Sequence, residues 1–348
     1  MTVDKVLLAE PRGFCAGVEK AIKALAWMVE VFEPPVYCYH EIVHNRHVVD
    51  RFRAQGVVFV DDVDDVPAGA PLMLSAHGSA PEVVAAARSR GRVVVDAVCP
   101  LVTKVHHELK VRANKGYSVL YVGHAGHEEA VGTMAVAPGS VHLVESEADV
   151  DALTGPGPGE PVALLAQTTL SHDEWAGIVE QARQRFPDLW MPNRSDLCFA
   201  TTNRQAALRA LAGRADAVVV IGSENSSNTV ALTKVARAFG CNRVVRVNDA
   251  ADLPDDLEGT VGVTAGASAP ESLVQAVVAR LAPAHGVEAA PVTLEEEYFP
   301  PPPELRDLLR ALESTVGLLA AVPAGEQPAA LSDDRTTSAA TVLDRLAG

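Results

Sequence analysis

One local pattern constrains this chain more than any other: a strand–loop–helix joint that carries a lone cysteine and is met three times. At the first, an apolar run over 6–9 ends at Pro11 and Gly13, and a helix-like run starts at about Cys15 and continues to about Val31. Cys15 then sits at the carboxyl end of a strand and the amino end of a helix. Unpaired N–H groups and the helix dipole there favour a thiolate or a bound anion. One such cysteine reads first as an ordinary half-buried thiol. Its recurrence changes that reading: the run 93–95 leads to Cys99, and the run 189–191 leads to Cys198.

Between the cysteines, short Val/Leu/Ile runs alternate with amphipathic helical stretches, which predicts an α/β protein with mainly parallel sheets. Second joints follow at His44, at His127 with Glu129, and at Ser226-Ser227-Asn228; third joints follow at His77, Thr168 and Ser268. The steps are 84 and 99 residues between cysteines, 83 and 100 between second joints, and 91 and 100 between third joints. Such self-similarity means three related α/β units. Ligands in open α/β sheets bind beyond the carboxyl ends of the strands. Three units packed about a pseudo-threefold axis, a trefoil, would therefore turn all nine joints toward one central cavity. The expected division is 1–98, 99–197 and 198–285, then a C-terminal extension over 286–321 and a disordered tail over 322–348. The tail expectation rests on its Ala-, Pro-, Ser- and Asp-rich composition.

A net charge of −16 argues against a nucleic-acid surface but leaves room for a small anion in a local polar pocket. No stretch reaches the roughly 18–20 apolar residues of a membrane span, and residues 1–10 lack the apolar block of a signal peptide, so a cytoplasmic location is expected. Five widely spaced cysteines without a C-x-x-C pair predict no disulfide framework. Cys38 and Cys241 lie away from the joints and read as buried structural thiols.

Three converging thiolates suit zinc with an open position or an iron–sulfur cluster. Zinc sites more often include histidines close in sequence, which these cysteines lack, so the cluster is favoured. The other joints supply His44, His77, His127, Glu129, Thr168, Ser226, Ser227, Asn228 and Ser268, donors and protonatable groups suited to a diphosphate at helix amino ends. Taken singly, the hydroxyl and amide residues among them are as well explained as helix caps. His40, His106, His107, His124, His142, His172 and His285 read as surface or supporting histidines.

The motifs at 11–20, 40–45, 75–78, 99–105, 123–133, 167–171, 200–205, 225–228 and 264–270 resemble the 4-hydroxy-3-methylbut-2-enyl diphosphate reductase family, over about Val6 to Leu309. The resemblance implies a three-domain α/β trefoil around a 4Fe-4S cluster held by Cys15, Cys99 and Cys198, with one iron left open. It implies that His44, His77, His127, Ser226, Asn228 and Ser268 hold the diphosphate, with Ser227 lining the same pocket. Glu129 would deliver protons beside His127, and Thr168 would orient the substrate hydroxyl. The implied reaction removes the allylic hydroxyl with two electrons and two protons, giving isopentenyl and dimethylallyl diphosphates, with a ferredoxin or flavodoxin as electron donor. Thr229 replaces a family serine, Val98 replaces a usual threonine, and the tail is longer than the family needs. Two rivals are a cluster dehydratase resembling quinolinate synthase and a non-catalytic metal-binding sensor. Glu129 beside His127 argues against the sensor, because a paired acid in a cavity serves proton transfer.

Overall fold

Apolar runs without polar alternation produce strands buried on both faces, and such strands make parallel sheets covered by helices. The run Ala217–Ile221 and the run Val162–Ala166 are buried at every residue. The computed structural model describes residues 2–157, 159–320 and 334–346, the side chains of 316–320 excepted. Among these residues the chain forms three small parallel sheets flanked by helices, the α/β class expected.

The first sheet has the order Val57–Val60, Val36–Tyr39, Leu72–Leu74, Val94–Asp96. The second has Val141–Val144, Ser118–Val122, Val162–Ala166, and the third has Val244–Val247, Ala217–Ile221, Glu258–Ala265, Thr2–Glu10, Val287–Pro291. In the first, Cys38 faces Phe59 and Met73, and Met73 faces Val95. In the third, Val219 faces Val245 and Val263, and Val263 faces Leu8. A single bridge from Ala163 to Trp190 stands at the matching edge of the second. Each sheet thus leads, in order, to a second joint, a third joint and a cysteine.

This order corrects one expectation. The N-terminal strand, assigned by chain position to the first unit, lies in the third sheet, between the strands that end before Ser268 and Val292. The cysteine closes a unit instead of opening it, so the strand before Cys15 has only the third sheet to complete. We propose three units bounded near 98 and 197, with the N-terminal strand assigned to the third.

The C-terminal region brings a second correction. Within the expected extension, the helix Pro303–Ala320 buries Leu305 and Leu309 in the core of the first unit. Of the tail expected to be disordered, 322–333 and 347–348 lie outside the described residues. The rest forms the helix Ala339–Arg345, capped by Ser338, against the helix Ala16–Val31. Ala339, Leu343 and Leu346 join the same core. Burying the two leucines contributes about 3–6 kcal/mol as an upper bound. The tail also covers Lys23, whose Nζ lies 3.2 Å from Asp334 in a nearly water-free pair. Removal of residues after 320 is therefore expected to lower the melting temperature measurably. An unchanged melting curve for the truncated chain would detach the tail from the folded body.

Candidate active site

The three cysteines share one local geometry. Cys15, Cys99 and Cys198 are the N-cap residues of the helices Ala16–Val31, Pro100–Asn114 and Phe199–Ala212, each in extended backbone. Each cysteine N–H donates to a carbonyl at a third joint: Cys15 to Ala267 at 3.1 Å, Cys99 to Ala76 at 3.0 Å, Cys198 to Thr168 at 3.0 Å. The same bond, made three times, aims three positive helix ends at one cavity.

That cavity opens to solvent and holds about 100 Å³ of water-accessible space. All twelve residues singled out from the sequence line it: Cys15, Cys99 and Cys198, the other second- and third-joint residues, and Glu129. Cys38 and Cys241 are buried in separate cores.

Packing at the cysteines leaves no room for a side chain at Gly17. A Cβ on Gly17, which has ordinary helical backbone, would stand 2.9 Å from the Cys99 Sγ and 3.9 Å from the Cys15 Sγ. Burial and then the Cys15 thiol push Cys99 up to about 12. Burial and then the same thiol push Cys198 up to about 11, against the hydroxyl and N–H of Thr201. Three thiolates so placed need a cation among them. Soft thiolate donors without an imidazole partner suit a metal–sulfur centre.

Glu129 lies opposite. Its carboxylate accepts from the Thr168 N–H at 2.7 Å and the Thr168 hydroxyl at 3.0 Å. Burial raises Glu129 to about 7, with the Thr168 hydrogen bonds opposing it and the Asp196 charge adding to it. Asp196 is itself buried beside Lys104 and raised to about 6, chiefly by burial. Thr168 therefore joins the carboxyl group, through its own backbone, to Cys198.

His44, His77 and His127 come from three joints and meet in one group, with ring centroids 3.9, 5.4 and 6.2 Å apart. Gly132 allows this: a Cβ there would stand 2.3 Å from the Gly78 carbonyl oxygen, so any side chain would part the His127 and His77 joints. Other residues are partly committed to the protein. Ser226 caps the helix Ser227–Ala238, and Ser268 donates to the His44 carbonyl at 2.9 Å. Asn228 accepts from the Ala267 N–H at 2.9 Å. Ser227 is held by Gln167 and Thr169.

Residues that the sequence reading passed over include Gly17, Glu41, Glu128, Gln167 and Thr201. Glu128 follows the joint histidine His127 directly and Glu41 lies three residues before His44, which was the available signal. Of the two departures, Thr229 is fully buried, wedged between Gly222 and Gly266. Val98 offers its carbonyl to Lys20 at 2.7 Å.

Fold and cavity together define an α/β metal–sulfur protein with a pocket for an anion. The chain belongs to the LytB protein family, which it matches over residues 6–282. A relative from Mycolicibacterium paratuberculosis named 4-hydroxy-3-methylbut-2-enyl diphosphate reductase is 50% identical over 88% of this chain and 93% of its own length. The solved reductase of Plasmodium falciparum, named for E-1-hydroxy-2-methyl-but-2-enyl-4-diphosphate, superposes with a TM-score of 0.85 at 32% identity, covering 90% of this chain and all of that one. A second solved reductase, titled the terminal enzyme of the non-mevalonate pathway, has a TM-score of 0.58 at 29% identity and covers 80% of this chain and 99% of its own. Among the described residues no helix is long and apolar enough to cross a membrane.

Replacing Cys15, Cys99 or Cys198 by serine is expected to remove most bound iron, whereas Cys38→Ser and Cys241→Ser retain it. Gly17→Ala is expected to do the same as the site cysteines without touching a donor atom. Full iron and sulfide content in the Cys99 variant would end the three-thiolate reading.

Proposed function

We propose that this chain reduces (E)-4-hydroxy-3-methylbut-2-enyl diphosphate to isopentenyl and dimethylallyl diphosphates, releasing water, as the last step of the non-mevalonate isoprenoid route. The observation that carries the reading is the meeting, in one cavity, of three lone thiols, three histidines and a buried carboxyl group. When bound at Cys15, Cys99 and Cys198, a 4Fe-4S cluster with one iron free of protein ligands would supply single electrons and Lewis acidity. A ferredoxin- or flavodoxin-type protein is the proposed source of the electrons.

The chain's own residues supply position and protons. His44, His77 and His127, with Ser226, Ser227, Asn228 and Ser268, hold the diphosphate against the positive end of the helix Ser227–Ala238. Thr168 orients the substrate hydroxyl and keeps Glu129 facing it. Glu129 gives its proton to the departing hydroxyl, which is a poor leaving group until protonated. A carboxyl group titrating near 7 holds that proton at neutral pH, where an ordinary glutamate is ionised. Glu129 is itself buried and held by Thr168, so it is a fixed donor at this position.

Glu129→Gln is expected to bind substrate and to lose about 10²–10⁴ in turnover. In the wild-type enzyme the group must be protonated to act, so kcat/KM is expected to fall as pH rises through about 7. Steady-state rates with a dye reductant over a pH series measure both. Near-normal turnover of the glutamine variant at full iron content would remove Glu129 from the proton path.

A further inference from the structure

Holding a diphosphate leaves two carboxylates at the same site without a purpose, since negative charge beside an anion is unfavourable. Glu128 and Glu41 stand behind the stacked pair His44 and His77, whose ring planes differ by 15°. The Nδ1 of His77 lies 2.8 Å from Glu128 Oε2, and the Nδ1 of His44 lies 3.5 Å from Glu41 Oε2. The Asn225 amide donates to that same Glu41 oxygen at 2.9 Å. Glu128 Oε1 faces His40 at 3.7 Å, and His40 in turn faces Asp61.

An ionised carboxylate only accepts, so it favours a proton on the Nδ1 facing it. The His77–Glu128 contact is a close charge pair without hydrogen-bond alignment, and the His44 Nδ1 also lies 3.5 Å from the Asn225 amide. The remaining nitrogen of each ring is then the one available to a ligand, and the Nε2 of His44 is buried without a partner. To donate to a phosphate oxygen, that nitrogen must be protonated as well, which makes the ring an imidazolium. His127 is arranged differently. Its Nδ1 accepts the Glu129 N–H at 3.2 Å, so its neutral ring already presents Nε2–H.

We propose that Glu128, together with Glu41, is a positioning residue that lets the stacked His44–His77 pair take up a proton as a diphosphate binds. This rests on the diphosphate reading given above. Two imidazolium rings in van der Waals contact repel each other while the pocket holds no anion. Accordingly, burial and then His77 pull His44 below its ordinary value, against Glu41 and Glu128. Burial, His77 and His44 bring His127 down to about 3. Burial alone would raise Glu128, yet the His77 contact and the charges of His77, His44 and His40 hold it at about 2. The groups facing the pair are thus Glu41 and Asn225 at His44, Glu128 at His77 and His127 at both, with His40 beyond Glu128 and Glu129 and His124 farther off. An entering diphosphate reverses the balance: its charge stabilises the second imidazolium, and the carboxylates behind keep both rings turned toward it.

The test is calorimetric titration of the iron-loaded enzyme with inorganic pyrophosphate, in two buffers of different ionisation heat near neutral pH. Wild-type enzyme is expected to take up about one proton per pyrophosphate bound. Glu128→Gln should lose at least half of that uptake and bind pyrophosphate about tenfold more weakly. KM should rise more than kcat falls, with iron content and melting temperature held, and Glu128→Asp should restore part of the uptake. Glu41→Gln provides a second, less buried variant expected to act in the same direction. Unchanged uptake and affinity in both glutamine variants would overturn the inference while leaving the diphosphate site in place. Failure of wild-type enzyme to bind pyrophosphate at all would overturn both.

Discussion

The site depends on one backbone contact repeated three times, the cysteine N–H donating to a carbonyl on the neighbouring strand's loop. It fixes each thiol at the start of a helix and ties that helix to the next sheet. Two of the three bonds close short stretches, from Ala76 to Cys99 and from Thr168 to Cys198. The third joins Cys15 to Ala267, far apart in the chain, through pairing of Thr2–Glu10 into the last sheet. Loop-closure entropy grows with the logarithm of length, so the long closure costs about 2 kcal/mol more than the short ones, which the strand pairing of Thr2–Glu10 offsets. Once it is made, the ring of three units has no free end at the cavity.

An acidic chain builds its anion pocket without lysine or arginine donors among the cavity-lining residues. Two buried cations near the cavity are instead spent on the loops that carry the cysteines. Lys20 donates to the carbonyl of Val98, next to Cys99. Arg204, wholly buried, donates to the carbonyls of Gly13 and Phe14, next to Cys15, and to Glu295. Their charge is satisfied by the scaffold, which burial demands. The proposed anion site relies instead on helix ends and on imidazole N–H donors, with His44 and His127 held below their ordinary values.

Spacing made much of this legible in the sequence. The apolar runs and the three lone cysteines recur at matching steps because each unit repeats the same strand–loop–helix element, and a repeat shows itself without knowledge of contacts. What stayed hidden arises between units. The sheet that receives the first strand is decided by pairing 250 residues away, for example Thr2 with Glu258, which no local pattern reports. Glu128 gains its meaning from His77, and Thr201 from Cys198 and Asn228. Gly17 looked like a helix residue and proved to be the gap beside two thiols. The tail was misread from composition, although Ala339, Leu343 and Leu346 already stood at helical spacing.

That tail bears on the site through a single element. The helix Ala16–Val31 begins at Cys15 and is buried on more faces than a surface helix allows, with Lys20 and Lys23 among its covered residues. A buried lysine is tolerated only where its donors are met. For Lys23 the partners from the tail are Asp334 and the carbonyls of Asp334 and Thr337, beside Glu19 on its own helix at 3.8 Å, and Glu19 accepts the Ala339 N–H at 2.7 Å. Tyr298 donates to Asp334 at 2.7 Å and links the same cluster to the segment that carries Glu295. Glu295 holds Arg204, and Arg204 holds the Gly13–Phe14 turn. Polar contacts thus run from the C-terminal helix to the first cysteine by two routes, one along the helix and one through the arginine. The C-terminal helix Ala339–Arg345 is built into the support of Cys15.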